Sequence, residues 1–422
     1  MEKMIIEGGD SLRGEVRISG AKNAALPIMA AALLTPEECV IRNVPQLQDV
    51  RFMTKILQAL GAEAELAGDA VRIRAVRIGD TCDYDLVRKM RGSVCVLGPL
   101  SARLGRARVA LPGGCVIGAR PIDLHLKGME ALGAQVAVRG GYVHTRADRL
   151  AGREIFLSGR AGPTVLGTAN VMMAATLAEG VTVIQGAACE PEVADLARFL
   201  AAMGAKIEGA GSPTIVVTGV PGLHGAEHEL IPDRIEAATF AVAAAATGGE
   251  VALRGARPDH MSAVLDKLRE IGVETRREGE RFLVRPAGPL RPAHITTHPY
   301  PGFPTDVQAQ MTALLTQADG ISIVTERIFE SRFMHISELA RMGAKVYVEG
   351  PHAIIHGPNK LSGAEVMASD LRASAALVIA GLMAEGRTEV RRIYHLDRGY
   401  ERIDEKLTAL GARVKRAEDQ GP

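Results

Sequence analysis

Apolar residues follow two alternating periods along this chain. Leu265, Leu268 and Ile271 have the spacing of one helix face, a glycine follows them, and apolar and polar residues then alternate as in a strand. A glycine directly after a helical pattern predicts a helix end in the left-handed conformation. This pattern occurs six times at intervals of 68 to 72 residues, with the glycines Gly61, Gly133, Gly204, Gly272, Gly343 and Gly411. The chain therefore predicts six similar α/β units.

Each unit continues with a further strand, a short polar segment and an alanine-rich helix. The alanine-rich stretches, such as "VMMAATLA" and "ASAALVIAGLMA", are apolar on nearly all sides. This is typical of buried helices, so we expect the sheets to lie outside them. A conventional doubly wound sheet is the alternative, but the chain has neither a G-x-G-x-x-G turn nor a P-loop to support it.

The two ends of the chain complement each other. The sixth unit stops after "LGARVKR", and residues 1–21 contain the strands that it lacks. We therefore expect two inside-out α/β barrel domains of three repeats each. One domain comprises residues 22–230, and the other comprises residues 1–21 together with 231–422. The chain would cross between them near residues 21 and 230.

Composition limits the possible partners and the compartment. The chain has 422 residues, 47% of them hydrophobic, and a formal net charge of +1. No long-range field attracts nucleic acid or an anionic membrane, so we expect neither as a partner. The N-terminal "MEKMIIEGGD" lacks the apolar core of a signal peptide, and "AALPIMAAALL" is too short to span a membrane. The chain is therefore expected to be a soluble, cytoplasmic protein.

Cysteine and histidine patterns give no indication of a metal site. The five cysteines include no C-x-x-C pair, so free thiols are expected. His224, Glu227, His228 and Glu229 form a polar cluster, but they lack the H-E-x-x-H order of a metalloprotease site. The sequence therefore predicts neither a disulfide framework nor a bound metal.

Charged residues recur at the turns that lead into helices. Strand-to-helix turns attract anions because backbone N–H groups and the helix dipole point outward there. If the domains face each other, these side chains would converge on one cleft suited to a substrate with phosphate and carboxylate groups. They are Lys22, Arg91, Asp233, Arg234, Asp306, Asp370 and Arg372, with Cys115, Arg120, Arg332 and Arg398 from the second series of turns.

Most of these residues also have a purely structural interpretation. An aspartate at a helix start is commonly a helix cap. For Asp233 and Asp370 the sequence leaves both a capping and a functional role open, and for Asp306 it favours the cap. A single arginine is usually a solvated surface residue. Cys39, Cys82, Cys95 and Cys189 are expected to be small apolar residues. Cys115 differs, because "PGGCVIGARP" places it among glycines and near Arg120, which favours an accessible thiolate.

Seven motifs together resemble the enolpyruvyl transferases from end to end. They are "GAKNAALP", "LPGGCVIGARPIDLH", "IPDRIEA", "FPTDVQAQ", "FESRFMH", "MASDLRAS" and "YHLDRGYERI". The resemblance implies two inside-out α/β domains that close over their substrates. It also implies transfer of the enolpyruvyl group of phosphoenolpyruvate to the 3-hydroxyl of UDP-N-acetylglucosamine, the first committed step of peptidoglycan synthesis. No metal and no organic cofactor are implied.

The resemblance also assigns roles to individual residues. Cys115 would be the general acid, able to form an adduct with phosphoenolpyruvate and to react with fosfomycin, and Asp306 would take the sugar hydroxyl proton. The phosphate would be held by Lys22, Arg120 and Arg398, and the carboxylate by Arg332 and Arg372. The remaining substrate-binding residues would be Asn23, Arg91, Pro121, Ile122, Asp123, Leu124, Thr164, Val165, Ile328 and Asp370.

One turn departs from the family pattern. Where the family often has Ser-Val-Gly-Ala-Thr near the diphosphate, residues 164–168 read "TVLGT", and Leu166 replaces a glycine that could adopt a positive φ. A paralogous transferase acting on another nucleotide is therefore the alternative enzyme. A non-catalytic nucleotide-sugar sensor is a further alternative, which the presence of both Cys115 and Asp306 argues against. RNA 3'-phosphate cyclases share a related architecture, but this chain lacks a basic stripe for RNA.

Overall fold

The computed structural model describes residues 2–112 and 121–419. In this part of the chain the helices are α1 (Lys22–Ala31), α2 (Gln48–Ala59), α3 (Tyr84–Val87), α4 (Leu97–Leu104), α5 (Asp123–Ala131), α6 (Val165–Ala175), α7 (Pro191–Ala202), α8 (Arg234–Ala246), α9 (Ser262–Ile271), α10 (Gln308–Leu315), α11 (His335–Arg341), α12 (Leu371–Met383) and α13 (Ile403–Ala409). Short 3-10 turns occupy Ala32–Leu34, Arg91–Val96, Pro258–Met261, Thr305–Val307 and Ile393–Arg398.

The strands of the same ranges are β1 (Glu2–Glu7), β2 (Arg13–Arg17), β3 (Glu38–Arg42), β4 (Glu63–Ala67), β5 (Ala70–Arg74), β6 (Thr81–Cys82), β7 (Arg106–Ala110), β8 (Gln135–Arg139), β9 (Tyr142–Arg146), β10 (Glu154–Phe156), β11 (Ser158–Gly159), β12 (Gly162–Pro163), β13 (Val181–Gln185), β14 (Lys206–Glu208), β15 (Thr214–Thr218), β16 (Glu227–Glu229), β17 (Glu250–Arg254), β18 (Val273–Glu278), β19 (Arg281–Pro286), β20 (His294–Thr296), β21 (Gly320–Thr325), β22 (Lys345–Glu349), β23 (His352–Gly357), β24 (Glu365–Met367), β25 (Arg387–Arg391) and β26 (Arg413–Glu418).

The described residues divide into two compact units. The central unit comprises residues 20–112 and 121–231, and the terminal unit comprises residues 2–19 and 232–419. Each unit has its own apolar core. The N-terminal strands belong to the terminal unit, where β1 pairs with β25 and β26, and β2 pairs with β17.

One sheet pattern repeats in both units. Each four-stranded sheet has a parallel pair at one edge, followed by two antiparallel pairings. In the central unit the strand orders are β16-β3-β5-β4, β6-β7-β9-β8 and β10-β13-β15-β14; in the terminal unit they are β18-β19-β17-β2, β20-β21-β23-β22 and β24-β25-β1-β26. This recurrence is the structural form of the six repeats seen in the sequence.

The alanine-rich helices form the interior of each unit. In the terminal unit α8, α10 and α12 pack against one another, and in the central unit α1 and α4 both pack against α6. Every residue of α12 from Arg372 to Leu382 is buried, as is every residue of α1 from Ala24 to Ala31. The sheets have one face toward these helices: in β5, Val71 and Ile73 are buried while Arg72 and Arg74 are exposed. The predicted inside-out arrangement is confirmed within each unit.

The six glycines end helices as predicted. Each lies one residue beyond the helix C-cap or at it, with φ between +95° and +104° at Gly61, Gly133, Gly204, Gly272, Gly343 and Gly411. A left-handed conformation at this position lets the backbone leave the helix and enter the next strand, and glycine adopts it without steric cost. Among the described residues, no helix is both long and apolar enough to cross a lipid bilayer.

Candidate active site

In the terminal unit, Asp306 forms ion pairs with two buried arginines. The 3-10 turn Thr305–Val307 carries it to the start of α10. Its Oδ1 lies 2.8 Å from Arg332 Nη1 and its Oδ2 lies 3.1 Å from Arg372 Nη2. The arginine side chains are only 5% and 2% exposed, whereas that of Asp306 is 28% exposed. The two positive charges favour the ionised carboxylate, which keeps an accessible edge.

Two expectations from the sequence are wrong at this cluster. The N-cap of the turn that contains Asp306 is Pro304 and that of α10 is Val307, so Asp306 does not occupy a cap position. Arg332 and Arg372 are not solvated surface residues, because both are buried. The sequence pattern identifies the start of a helix, but it does not show that arginines 26 and 66 positions away meet the carboxylate there.

A buried polar network fixes Arg372 and the backbone of Asp306. The Arg372 guanidinium lies 5.2 Å from the centre of the Tyr400 ring. The amide of Gln310 donates to the Tyr400 hydroxyl at 3.1 Å and to the backbone oxygen of Asp306 at 2.9 Å. Burial opposes the Arg372 charge, but Tyr400, Asp306 and Asp233 outweigh it and raise the pKa of this arginine. Arg372 is therefore a permanent cation in the interior.

Asp233 and Asp370 are helix caps. Asp233 accepts from the backbone N–H groups of Ile235 and Glu236 at the start of α8, at 2.8 and 3.0 Å. Asp370 accepts in the same way from Arg372 at 2.9 Å and Ala373 at 3.2 Å, at the start of α12. The structural reading of both residues is confirmed. The cap at Asp370 also fixes the helical turn that presents Arg372.

Two histidines of the terminal unit are held in the neutral form near these caps. Burial is the main cause that lowers the pKa of His335, to about 4, with Asp370 opposing and Arg332 adding to the effect. Burial also lowers the pKa of His395, and the neighbouring charge of Arg398 contributes. Arg398 ends the 3-10 turn Ile393–Arg398 and is half-buried.

A buried glutamate, which the sequence analysis did not single out, supports the same region. Glu326 follows β21 and is 1% exposed. Its Oε1 accepts from the backbone N–H of Ile328 at 2.7 Å, and its Oε2 accepts from the Thr305 hydroxyl at 2.8 Å. Strand period could have identified it, because Ser322 and Val324 are buried on one face of β21 and Glu326, directly after the strand, continues the same alternation.

In the central unit, the start of α1 has the features of an anion-binding end. Lys22 and Asn23 are its first residues, the N-cap is Ala21, and the first turn contains no acid. The backbone N–H groups at this end therefore have no side-chain cap at the N-cap position. The Lys22 amine lies 3.3 Å from the buried carboxylate of Asp49, and the two side chains are 12% and 3% exposed. This ion pair fixes the ammonium group at the helix end.

A second group of predicted residues lies around the start of α5 in the same unit. Arg91 donates to the backbone oxygen of Pro121 at 3.4 Å, and Asp123 begins α5 after the N-cap Ile122. Leu124 lies beside the β11–β12 hairpin, because a Cβ built on Gly159 would be 3.3 Å from its Cδ1. The structure thus brings Arg91, the segment 121–124 and the hairpin before Thr164 into one region.

The turn that departs from the family pattern is an ordinary helix start. Thr164 is the N-cap of α6 and accepts from the backbone N–H of Gly167 at 3.2 Å, and Val165 is the first helical residue. Leu166 is helical and has no positive φ, so the expected conformational conflict does not arise. The glycine is needed one position later, where a Cβ at Gly167 would lie 2.4 Å from the Thr164 side chain.

The cysteines fall into two groups. Cys39, Cys82 and Cys95 are buried as expected, and burial raises the pKa of Cys82 and Cys95 to about 12. Cys189 is half-buried, and burial raises its pKa as well. Cys115 and Arg120 lie outside the described residues, so their predicted roles stay predictions.

Comparisons with known proteins agree over the whole chain. A family model described as EPSP synthase (3-phosphoshikimate 1-carboxyvinyltransferase) matches residues 6–407. A UDP-N-acetylglucosamine 1-carboxyvinyltransferase from Methylacidiphilum infernorum is 57% identical over 416 residues, with 99% of each chain covered. A relative of the same name from Akkermansia muciniphila is 55% identical over 422 residues, again with 99% of each chain covered.

Solved structures give the same picture for the fold. The enolpyruvyl transferase NikO from Streptomyces tendae matches with a TM-score of 0.88 and 28% identity, covering 98% of both chains. EPSP synthase from Acinetobacter baumannii matches with a TM-score of 0.75 and 19% identity, covering 99% of this chain and 100% of that one. The expected two-domain α/β fold is confirmed.

Proposed function

This chain belongs to the EPSP synthase family of enolpyruvyl transferases, and we propose that it transfers the enolpyruvyl group of phosphoenolpyruvate to the 3-hydroxyl of UDP-N-acetylglucosamine, with release of phosphate. The identities of 57%, 54% and 55% to enzymes named UDP-N-acetylglucosamine 1-carboxyvinyltransferase support this acceptor. The reaction would be the first committed step of peptidoglycan synthesis and would take place in the cytoplasm. The proposal assigns two small-molecule substrates and no cofactor.

The observation that carries the proposal is the Asp306 carboxylate between two buried arginines. An alcohol attacks an electrophilic carbon only as its proton leaves, so the reaction needs a base that is ionised and accessible. Arg332 and Arg372 favour the ionised form, and the partly exposed carboxylate can accept a hydrogen bond from the sugar hydroxyl. Asp306 therefore acts as the base in this proposal.

The acid of the proposed reaction is the Cys115 thiol. It delivers a proton to the methylene carbon of phosphoenolpyruvate, which leaves positive charge on the carbon that carries the phosphate. The sugar oxygen bonds to that carbon while Asp306 takes the hydroxyl proton. The methyl group then returns a proton to the Cys115 thiolate as the carbon–oxygen bond to phosphate breaks, and the products are an enolpyruvyl ether and phosphate, which carries away the proton taken by Asp306.

Cationic side chains are assigned to the two anionic ends of phosphoenolpyruvate. Lys22, Arg120 and Arg398 would bind the phosphate, and the start of α1, where the N-cap Ala21 makes no side-chain cap and the first turn has no acid, supports the position of Lys22. Arg332 and Arg372 would contact the carboxylate. Both arginines have a buried guanidinium nitrogen without a hydrogen-bond partner in the described protein, namely Arg332 Nε and Arg372 Nη1. Such nitrogens are suited to a planar carboxylate.

A further set of residues is assigned to the nucleotide sugar. In the central unit, Arg91 contacts the segment 121–124, which supports a shared role in binding the nucleotide sugar. The residues assigned to it there are Arg91, Pro121, Ile122, Asp123, Leu124, Asn23, Thr164 and Val165. In the terminal unit, Ile328 and the capping residue Asp370 are assigned with Asp306. Leu166 does not argue for another nucleotide, because its helical conformation requires no glycine.

Phosphate release with several acceptors tests this proposal. Purified protein is incubated with phosphoenolpyruvate and, in separate reactions, UDP-N-acetylglucosamine, UMP or shikimate 3-phosphate. We expect kcat/KM for UDP-N-acetylglucosamine to exceed the others by about 100-fold or more, because a site that hydrogen-bonds the full nucleotide sugar is left with unpaired polar groups by the rest. Faster turnover with another acceptor would contradict the proposal, and binding without phosphate release would favour the sensor alternative.

A further inference from the structure

Glu326 has a hydrogen-bonding environment that matches a carboxylate. Its side chain is buried, and four donors point at its two oxygens. Oε1 accepts from the Thr297 hydroxyl at 2.7 Å and from the backbone N–H groups of Ile328 and Phe329 at 2.7 and 3.1 Å. Oε2 accepts from the Thr305 hydroxyl at 2.8 Å. An ionised carboxylate accepts without donating, so all four directions are fixed.

The Oε2 contact leads to the proposed base. Because the Thr305 hydroxyl donates its single hydrogen to Glu326, its lone pairs are available to other donors. Arg332 Nη1 donates to this hydroxyl oxygen at 2.9 Å, and the same nitrogen lies 2.8 Å from Asp306 Oδ1. Arg332 Nη1 is thus held between the Thr305 hydroxyl, which Glu326 orients, and the Asp306 carboxylate.

The Oε1 contacts lead to a different part of the proposed site. They hold the backbone of residues 328 and 329, and Ile328 is assigned to the nucleotide sugar. Thr297 adds to this side, since its hydroxyl donates to Oε1 and accepts from the backbone N–H of Arg327 at 2.9 Å. The two oxygens of one buried carboxylate therefore support two separate features, the Arg332–Asp306 pair and the 327–329 turn.

We propose that Glu326 is a positioning residue for this enzyme: through Thr305 it holds Arg332 against the base Asp306, and through its other oxygen it shapes the turn that carries Ile328. The inference rests on the proposed function. A charged hydrogen bond is stronger than a neutral one, which is why a buried carboxylate serves here despite its desolvation cost.

Glu326→Gln separates the two supports. Oε1 meets three donors, so the glutamine places its oxygen there and its amide group toward Thr305. The Thr305 hydroxyl then loses its charged acceptor and turns to accept from the amide, which weakens its hold on Arg332. We expect kcat to fall about 10-fold, the usual scale for one charged hydrogen bond, with KM for UDP-N-acetylglucosamine changed by less than about 2-fold.

Variants of the two threonines test each side without changing the glutamate. Thr305→Val removes the same hydroxyl contact, so kcat should fall as it does in Glu326→Gln, while Thr305→Ser keeps the hydroxyl and should restore most of the activity. The double variant Glu326→Gln/Thr305→Val should have a kcat no lower than that of the slower single variant, because both substitutions remove the same hydrogen-bonded link. Thr297→Val acts on the turn and should raise KM more than it lowers kcat.

Asp195→Asn is the matched control for loss of a buried carboxylate. Asp195 is fully buried in the central unit and accepts from the backbone N–H of Ile231 at 3.2 Å. This variant should lower the melting temperature but keep kcat and KM at a temperature where it is folded. A merely structural Glu326 would behave in the same way.

The outcomes distinguish this inference from the proposed function. If wild-type protein releases no phosphate when phosphoenolpyruvate and UDP-N-acetylglucosamine are both present, the proposed function fails and the role of Glu326 fails with it. If the wild type is active but folded Glu326→Gln keeps the wild-type kcat, or Thr305→Ser is as slow as Thr305→Val, the positioning role alone is overturned.

Discussion

At the scale of single residues, the proposed reaction depends most on the charge of Asp306. Its two ion pairs come from arginines that burial isolates from water, so their effect on the carboxylate is little screened. The same arginines are the proposed ligands of the substrate carboxylate. Substrate binding would therefore redistribute hydrogen bonds around the base in the step that brings the sugar hydroxyl to it.

Replacing Asp306 with asparagine should remove the base while nearly preserving the shape of the side chain. We expect kcat to fall about 100-fold or more, because an amide cannot accept the hydroxyl proton. Nucleotide-sugar binding should survive. Steady-state kinetics and calorimetric titration with UDP-N-acetylglucosamine measure both. Asp266→Asn, on the exposed face of α9, is the control and should be fully active. Near-normal turnover of Asp306→Asn would remove this residue from the chemistry.

Substitutions at Cys115 should separate acid strength from nucleophilicity. Cys115→Asp should keep part of the activity and shift it to lower pH, because carboxylic acids titrate at about pH 4 and thiols at about pH 8.5. Cys115→Ser should be nearly inactive, since a hydroxyl is too weak an acid to protonate carbon. Of the wild type and the two Cys115 variants, only the wild type should be alkylated by fosfomycin.

A pH–rate profile of these forms and mass spectrometry after fosfomycin treatment provide the measurement. Cys189→Ser is the control, because it removes a half-buried thiol and should change neither activity nor alkylation. Full activity of Cys115→Ser, or alkylation at another cysteine, would disprove the assignment of the acid.

His125 should make stability depend on pH. Burial, followed by the charge of Arg91, lowers the pKa of His125 to about 3, and its Nδ1 lies 2.9 Å from the Asn170 amide nitrogen. Asn170 Oδ1 accepts from the backbone N–H of Gly98 at 2.8 Å, so the amide group points at the ring and opposes a proton there. As the pH falls from 7 to 5, His125 gains a proton in the unfolded chain but not in the folded one. The free energy of unfolding should therefore fall by about 2 kcal/mol.

Denaturant unfolding between pH 7 and 5 checks this expectation. His125→Asn removes the titrating group and should lose less stability over that interval than the wild type does. The comparison concerns the slope with pH, so a constant loss of stability in the variant does not affect it. An equal slope in both proteins would show that the folded histidine takes up the proton.

At the scale of elements, the sequence predicted most where one local pattern sufficed. The helix that ends at a glycine needs only the spacing of Leu265, Leu268 and Ile271 and the freedom of Gly272, and the structure places φ of this glycine at +104°. The departure from the family pattern at residues 164–168 raised a conflict over a positive φ at Leu166, and the structure shows no such conflict. The capping hydroxyl of Thr164, rather than a need for a positive φ at Leu166, determines that turn.

Substitution of Gly411 measures how much the left-handed conformation at these helix ends destabilises a residue other than glycine. Its φ is +96° and a Cβ there would meet no atom within 4 Å, so Gly411→Ala adds backbone strain without a clash. We expect the free energy of unfolding of this variant to fall by about 1 kcal/mol and its melting temperature to fall by about 2 to 4 °C. Gly411→Asn should lose less, because asparagine tolerates this conformation better.

Gly222→Ala is the control for that experiment. Gly222 also has open space around its Cβ position, but its φ is not positive. Its melting temperature should stay at or slightly above that of the wild type, because alanine restricts the unfolded chain. A loss equal to that of Gly411→Ala would show that the left-handed conformation is not the cause.

At the scale of the whole molecule, the residue types of the site were predictable but their partners were not. Motif resemblance identified Asp306, Arg332 and Arg372 as members of one site. It did not reveal that they form an ion-paired cluster, because the three residues come from separate segments of the fold. Glu326 was missed for the same reason, since its hydrogen bonds join β21 to the turn at Thr305 and to the end of β20.

The most direct test of the central claim is the mass spectrum of the nucleotide-sugar product formed in D2O. Protein is incubated with phosphoenolpyruvate and UDP-N-acetylglucosamine, with a 3-deoxy acceptor as the control. We expect an enolpyruvyl ether of the intact acceptor, with deuterium in its methylene group because the acid adds a solvent-derived hydron to that carbon, and no product from the control. Phosphate release with an unmodified acceptor, or an ether free of deuterium, would contradict it.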